Sequence, residues 1–223
     1  MLRHFRSLIL GAPGSGKGTI SSRIIKNFDV VHISSGDIFR HHIANKTDVG
    51  LQIESILKTG GLVPDDLTLK TISQTLEKHS KENWLLDGFP RTEIQAVELN
   101  KVVKIDVVIN LVVPFEIIIE RLKNRWIHAP SGRVYNLDFN PPKVSGLDDV
   151  TGEKLTQRSD DTPESVQKRL NIYSTSTKPV IEYYRKLGLL TDFEGKTSDE
   201  IWPQVQEYLS GKLPKRESSR STA

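Results

Sequence analysis

The sequence predicts an α/β fold in which a parallel sheet is flanked by helices. Three observations carry this. Short apolar runs recur along the chain: Leu8-Ile9-Leu10, Val30–Ile33, Trp84-Leu85-Leu86, Asp106–Val113 and Leu189–Phe193. Apolar residues at successive positions suit strands buried on both faces. Between them lie segments with helical spacing, such as Val49, Ile53, Ile56 and Leu57, and strands alternating with helices imply parallel βαβ units. The first run also leads into a glycine-rich turn, Gly11-Ala12-Pro13-Gly14-Ser15-Gly16-Lys17-Gly18-Thr19, followed by a helix over Ile20–Phe28.

Strand, glycine-rich turn and helix are the context that a phosphate-binding loop requires. Glycines let the backbone curl so that its N–H groups face inward, and the helix N-terminus adds a partial positive charge. Lys17 can then reach the terminal phosphates of a nucleotide. The common pattern places Ser or Thr directly after the lysine, whereas here Gly18 intervenes before Thr19. That departure argues against a switch GTPase, in which the hydroxyl holds Mg²⁺.

Composition bounds the rest. The chain has 223 residues, 36% of them hydrophobic and 26% charged, with net charge +3. This fits a globular chain with a mildly basic surface, suited to small phosphorylated substrates. No long Lys/Arg block points to nucleic acid. The absence of cysteine excludes disulfides and thiolate-bound metal. No apolar run approaches the ~18 residues of a membrane span. The start, Met1-Leu2-Arg3-His4-Phe5-Arg6, is basic and free of acids; it is too short for a secretory signal and suits either a mitochondrial address or an ordinary charged terminus.

After the second strand, Ser35 reads as the cap of a helix through Ile38-Phe39-Arg40, and Arg40 is a candidate phosphate ligand. The helix carrying Val49 to Leu57 ends at Gly60-Gly61, a candidate hinge. Leu62-Val63-Pro64 is extended, and Asp65-Asp66 open a helix through Leu76. Trp84-Leu85-Leu86 then delivers Asp87-Gly88-Phe89-Pro90-Arg91 to its C-terminal end, the ligand edge of a parallel sheet. A carboxylate there suits the water shell of nucleotide-bound Mg²⁺. Gln95 follows on the next helix.

Pro114 suits a helix start, and Arg121 and Arg125 read as one face of that helix. From Trp126 to about Thr162 glycines and prolines break the chain into short pieces, with small strands expected at Arg133-Val134-Tyr135 and Glu153–Thr156. His128, Ser131, Asp148 and Thr151 have the spacing of a two-knuckle zinc site, but hydroxyls are poor Zn²⁺ ligands. A hydrogen-bonded quartet in the metal's structural place is the reading adopted. Arg158, Asp160 and Asp161 precede Pro163, and Arg169 lies on a long helix with a kink expected at Pro179. Gly195-Lys196-Thr197 is a turn at the ligand edge, Ser198–Leu209 a helix interrupted near Pro203, and Gly211 onward a disordered tail.

The chain resembles the adenylate kinase family of nucleoside monophosphate kinases, in its long-lid form. The resemblance spans Leu8 to Leu209 and rests on Gly11–Thr19, Ser34–Arg40, Asp87–Thr92, His128–Tyr135, Phe139-Asn140-Pro141-Pro142-Lys143 and Asp160-Asp161. Arg125-Trp126-Ile127-His128, Tyr135-Asn136 and Ile201-Trp202-Pro203 are similar to the mitochondrial GTP:AMP branch. The resemblance implies a P-loop NTPase-type five-stranded parallel sheet with an inserted helical acceptor-binding lobe and a small β lid. The core would comprise residues 1–33, 64–125 and 164–210, the AMP lobe 34–63, the lid 126–163 and the tail 211–223.

It also implies roles. Gly14, Ser15, Gly16, Lys17, Gly18 and Thr19 would cradle the donor phosphates, Arg121 would stack on the donor base, Val134 and Tyr135 would touch the donor, and Thr197, or its neighbour Lys196, would contact the donor base through backbone atoms. Ser35, Arg40, Leu62, Val63, Pro64, Gly88, Phe89, Arg91 and Gln95 would bind AMP. Arg91, Arg125, Arg158 and Arg169 would converge with Lys17 on the phosphates. Asp87 would hold Mg²⁺ through water, and no zinc is expected in the lid. The implied activity is reversible transfer of the γ-phosphoryl of Mg-GTP to AMP. ATP as donor, or a low-turnover nucleotide-binding protein acting through partners, are the alternatives. The expected setting is a monomer in the mitochondrial matrix, the cytoplasm being the alternative, with no nucleic acid or membrane span.

Overall fold

A computed structural model describes residues 4–157 and 161–216. The elements are β1 Arg6–Gly11, α1 Lys17–Asn27, β2 Val31–Ser34, α2 Ser35–Ala44, α3 Asp48–Lys58, α4 Asp65–Lys78, β3 Trp84–Asp87, α5 Glu93–Val102, β4 Val107–Val112, α6 Phe115–Lys123, β5 Arg125–His128, β6 Arg133–Asn136, α7 Pro163–Ile172, α8 Lys178–Lys186, β7 Leu190–Glu194 and α9 Ser198–Ser210. Five of the strands form the parallel sheet, in the order β2-β3-β1-β4-β7. After β2 the chain returns through β3 beside β1, and then crosses to β4 on the other side. The phosphate loop therefore leaves β1 where the strand order reverses, the usual ligand position in open α/β sheets.

Both faces of the sheet are covered, which explains the unbroken apolar runs. Leu8, Leu10, Trp84, Leu86 and Val108 face one layer with Ile72 of α4, Leu99 of α5 and Tyr184 of α8. Ile9, Leu85 and Ile109 face the other, with Ile20 and Ile24 of α1 and Ile201, Val205 and Leu209 of α9. The period-2 alternation of a strand is thus present, but both of its phases are buried. Helices α2 and α3 form a lobe with a small core of its own, Phe39, Ile53 and Val63. No helix among the described residues is long and apolar enough to cross a membrane.

Several local expectations are corrected. Ser34, not Ser35, caps α2: its side chain accepts the N–H of Asp37, and Ser35 is the first helical residue. Arg125 is not on the helix of Arg121, because α6 ends at Lys123 and Arg125 opens β5. Within the segment expected to form the lid, β5 and β6 form an antiparallel pair. Glu153–Thr156 forms no strand and contributes isolated bridges at Lys154 and Thr156. Where a kink is expected at Pro179, a π-helical turn over Tyr173–Thr177 joins α7 to α8, and α9 runs unbroken through Pro203.

The described part of the predicted tail is ordered. Leu213 is buried against the layer of Ile20 and Leu209, the Asp29 N–H donates to the carbonyl of Pro214, and the Arg216 N–H to that of Asn27. One apolar side chain and two strand-like backbone bonds suffice to dock the segment beside the end of α1. Residues 217–223 lie outside the described residues.

Candidate active site

The loop between β1 and α1 is built by backbone conformation. Gly14 and Gly16 have φ of +85° and +91°. Side chains are excluded there for space as well: a Cβ on Gly14 would meet Leu122 at 2.9 Å, and one on Gly16 would meet Ser198 Oγ at 2.7 Å. Helix α1 begins with no side-chain cap and no acid in its first turn. By contrast α2, α3, α5 and α9 are each capped by Ser or Thr. Uncapped N–H groups at a helix start are an anion site. Ser15 Oγ is buried without a hydrogen-bond partner among the described residues.

Lys17 Nζ donates to the carbonyls of Gly11 at 2.8 Å and Ala12 at 2.9 Å. Burial lowers its pKa to about 8; Asp87 opposes the shift, while Arg91, Arg169 and Arg125 add to it. These residues come from the start of α1, β3 and its extension, β5 and α7, so the fold gathers them around one point. Asp87 ends β3, with His32 Nε2 3.7 Å from its Oδ2. Burial pushes the Asp87 pKa up, but His32, Lys17 and Arg91 outweigh it, and the net shift is downward.

Two arginines share one acid. Arg125 donates to Asp161 through both Nε, at 2.8 Å, and Nη2, and Arg169 Nη1 donates to the same carboxylate at 3.0 Å. Arg91 Nε donates to the Gly88 carbonyl at 2.7 Å, and Thr177 Oγ1 donates to the Arg91 carbonyl. Gly88, at φ +79°, lets Ser35 and Arg91 close around it: a Cβ there would meet Ser35 Oγ at 2.6 Å. Arg40 pairs with Asp37 on the exposed face of α2. Arg158 lies outside the described residues.

Arg121 is nearly buried. It donates to the carbonyls of Lys196 at 2.6 Å and Gly14 at 3.4 Å, and its guanidinium carbon lies 5.0 Å from the Phe139 ring centre. Its plane is thereby fixed beside the phosphate loop. Thr197 caps α9, its side chain accepting the Glu200 N–H, and Lys196 N–H donates to Glu200 Oε2.

Some predicted contacts do not involve side chains. Phe89 is 1% exposed and packs in the sheet core, and Val63 packs with Phe39 and Ile53. Tyr135 turns into the lid, where its hydroxyl donates to Asp148 at 2.8 Å. Leu62 and Val134 are half-buried, and Pro64 is exposed at the start of α4. For Phe89, Val63 and Tyr135 only the backbone remains for a ligand, because apolar or hydrogen-bonded burial has claimed the side chain.

The lid quartet is assembled and larger than expected. His128 Nδ1 lies 2.7 Å from Ser131 Oγ, and Thr151 Oγ1 donates to Asp148 Oδ2 at 3.0 Å. Glu153 pairs with the other ring nitrogen of His128, and Arg133 grips Asp148 with two hydrogen bonds. Led by the Arg133 bonds, and against burial, the Asp148 pKa is held well below the usual carboxylate range. Among the described residues no three His, Cys, Asp or Glu side chains gather to hold a metal.

Sequence reasoning missed His32, Asp65, Arg133 and Glu153, and gave Asp161 no task. Two of these had a signal: Asp161 as part of the Asp160-Asp161 motif, and Arg133 as part of His128–Tyr135. One further string, Asn45-Lys46-Thr47-Asp48, has the form of a guanine-reading motif, yet it is the turn between α2 and α3. There Thr47 caps α3, Asn45 bonds back to His41, and Lys46 adopts φ +49°.

A model of the adenylate kinase family matches residues 9–189. Over 209 residues the chain is 50% identical to "GTP:AMP phosphotransferase, mitochondrial" of Drosophila melanogaster, covering 94% of this chain and 97% of that protein. The protein of the same name from Saccharomyces cerevisiae is 45% identical over 223 residues, covering 96% and 95%. "Adenylate kinase" of Staphylococcus epidermidis is 43% identical over 209 residues, covering 91% and 97%.

Proposed function

Since the chain belongs to the adenylate kinase family and is a nucleoside monophosphate kinase, we propose that it transfers the γ-phosphoryl of Mg-GTP reversibly to AMP, giving GDP and ADP, in mitochondria. The observation that carries this reading is the set of cations, Lys17, Arg91, Arg125 and Arg169, gathered before the uncapped start of α1. Phosphoryl transfer needs in-line positioning and positive charge around the migrating group more than covalent help. One triphosphate does not require so many cations, whereas two phosphorylated substrates meeting end to end do.

In this reading residues Gly14 to Thr19 hold the donor phosphates and Lys17 follows the transferred group. Arg91, Arg125 and Arg169 surround its oxygens, with Arg158 assigned by resemblance alone. Arg121, held flat by Lys196, Gly14 and Phe139, is the platform for the donor base, with the backbone of residues 134–135 and 196–197 beside it. Ser35, Arg40, Gln95 and the backbone of residues 62–64 and 88–91 receive AMP. The Asp87 carboxylate, kept ionised at the sheet edge, suits the water shell of Mg²⁺, which would neutralise donor phosphate charge. The α2–α3 lobe and the lid close on the core. Gly132 of the lid turn already lies beside Asp37 of α2, and Ser165 Oγ of α7 donates to the Lys58 carbonyl. Closure excludes water that would compete as acceptor.

Every residue named in this reading belongs to one chain, which supports a monomer. The lid's polar network takes the structural place that zinc would fill. The mitochondrial setting and the GTP donor follow the names of the fly and yeast relatives; ATP as donor is the second reading. Steady-state transfer to AMP from GTP, ITP and ATP decides between them. Strong GTP and ITP activity with weak ATP activity is expected, and a preference for ATP overturns the donor assignment. No AMP-dependent transfer with any donor removes the kinase.

A further inference from the structure

We propose that Asp65 is a positioning residue that sets base selectivity at the acceptor site by fixing which way the Gln95 amide faces. The inference rests on the reading that AMP binds against Gln95. Gln95 is 2% exposed and its amide is held at both ends. Nε2 donates to Asp65 Oδ1 at 2.7 Å, and Oε1 accepts the backbone N–H of Arg91 at 2.7 Å. A carboxylate only accepts and a backbone N–H only donates. The amide therefore has one orientation.

Asp65 is itself anchored. Thr92 Oγ1 lies 3.1 and 3.2 Å from its two oxygens and also accepts the Gln95 N–H at 3.2 Å. As the first residue of α4, Asp65 sits where the helix dipole favours an acid. The link joins the start of α4 to the start of α5 and to the backbone of Arg91, so it ties the base end of the acceptor site to its phosphate end.

Orientation matters because purines differ in polarity along one edge. In adenine the 6-amino group donates and ring N1 accepts. In a 6-oxopurine, such as hypoxanthine, O6 accepts and N1–H donates. After its two protein bonds the Gln95 amide keeps one N–H and one Oε1 lone pair. A locked amide presents these in one order, so it satisfies one purine and leaves the other with two like groups opposed. A freely turning amide would serve both. A site built for a specific hydrogen-bond pattern rejects the mismatched analogue strongly, because its buried polar groups are left unpaired.

The test compares Asp65→Ala and Asp65→Asn with the unaltered chain, measuring kcat and KM for AMP and IMP at fixed donor, with thermal melts as a check on folding. Asp65→Ala is expected to raise the AMP KM about tenfold and cut the AMP-over-IMP preference about tenfold, with donor KM unchanged. Asp65→Asn, whose Oδ1 still accepts from Nε2, should restore most of both. In a Gln95→Leu background, Asp65→Ala should add nothing. If Asp65→Ala does not fold, Asp65→Ser makes the same comparison. An unchanged AMP:IMP preference, or a loss confined to kcat, overturns the inference while leaving the kinase intact. A Gln95→Leu variant with unaltered AMP KM removes the acceptor-site reading beneath it.

Discussion

Arg125 from the first lid strand and Arg169 from α7 lie on the same carboxylate, Asp161, whose side chain is 5% exposed. Residues far apart in sequence are thereby locked into one cationic pair. The acid offsets part of the repulsion between two half-buried guanidinium groups, and it holds both in place. Asp161→Asn is expected to lower kcat by about 10²-fold through misplacement of the two arginines, with a smaller change in donor KM. Steady-state kinetics checks this, and an unchanged kcat would show that the arginines need no such anchor.

Lys17 gives a pH signature. Its pKa in the folded, ligand-free chain is about 8, below the ordinary lysine value. The donor kcat/KM, which reports the free enzyme, should fall as pH rises through about 8. Lys17→Arg should lose that limb along with most activity, because a guanidinium does not titrate there. The sign for stability is opposite. Between about 8 and the ordinary value the unfolded chain binds more protons, so this group makes the fold more stable as pH rises through that window.

The docked C-terminal segment predicts a stability effect. Leu213 is 5% exposed against α1 and α9. Leu213→Ala should cost about 2–5 kcal/mol in chemical denaturation, the usual range for a buried leucine. A segment that only trailed in solvent would show no change.

The lid network predicts a local effect. Asp148 accepts from Arg133, Tyr135 and Thr151. Asp148→Ala should release the lid hairpin, read as faster amide exchange over residues 125–136 and 147–156, while exchange in the five-stranded sheet stays slow. Equal acceleration in both would mean that the lid is not a separate unit.

The sequence by itself determined the parallel sheet, the phosphate loop and the identity of most cations, because strand burial on both faces and a glycine turn before a helix leave local patterns. It also determined that His128, Ser131, Asp148 and Thr151 belong together, since their spacing repeats. Boundaries set by competing local bonds were less legible: Ser34 and Ser35 are both good caps, and the choice falls to Ser34 because its backbone is still extended where that of Ser35 is helical. The partners of the functional residues were decided by tertiary structure alone. Asp65 reaches Gln95, His32 reaches Asp87, and Lys196 receives Arg121 across chain separations that no periodicity encodes. The same holds for side chains withdrawn from the site. Phe89 and Tyr135 stand in the right motifs, but burial of an apolar ring and of a hydroxyl that finds Asp148 costs less than leaving either exposed to a ligand cleft.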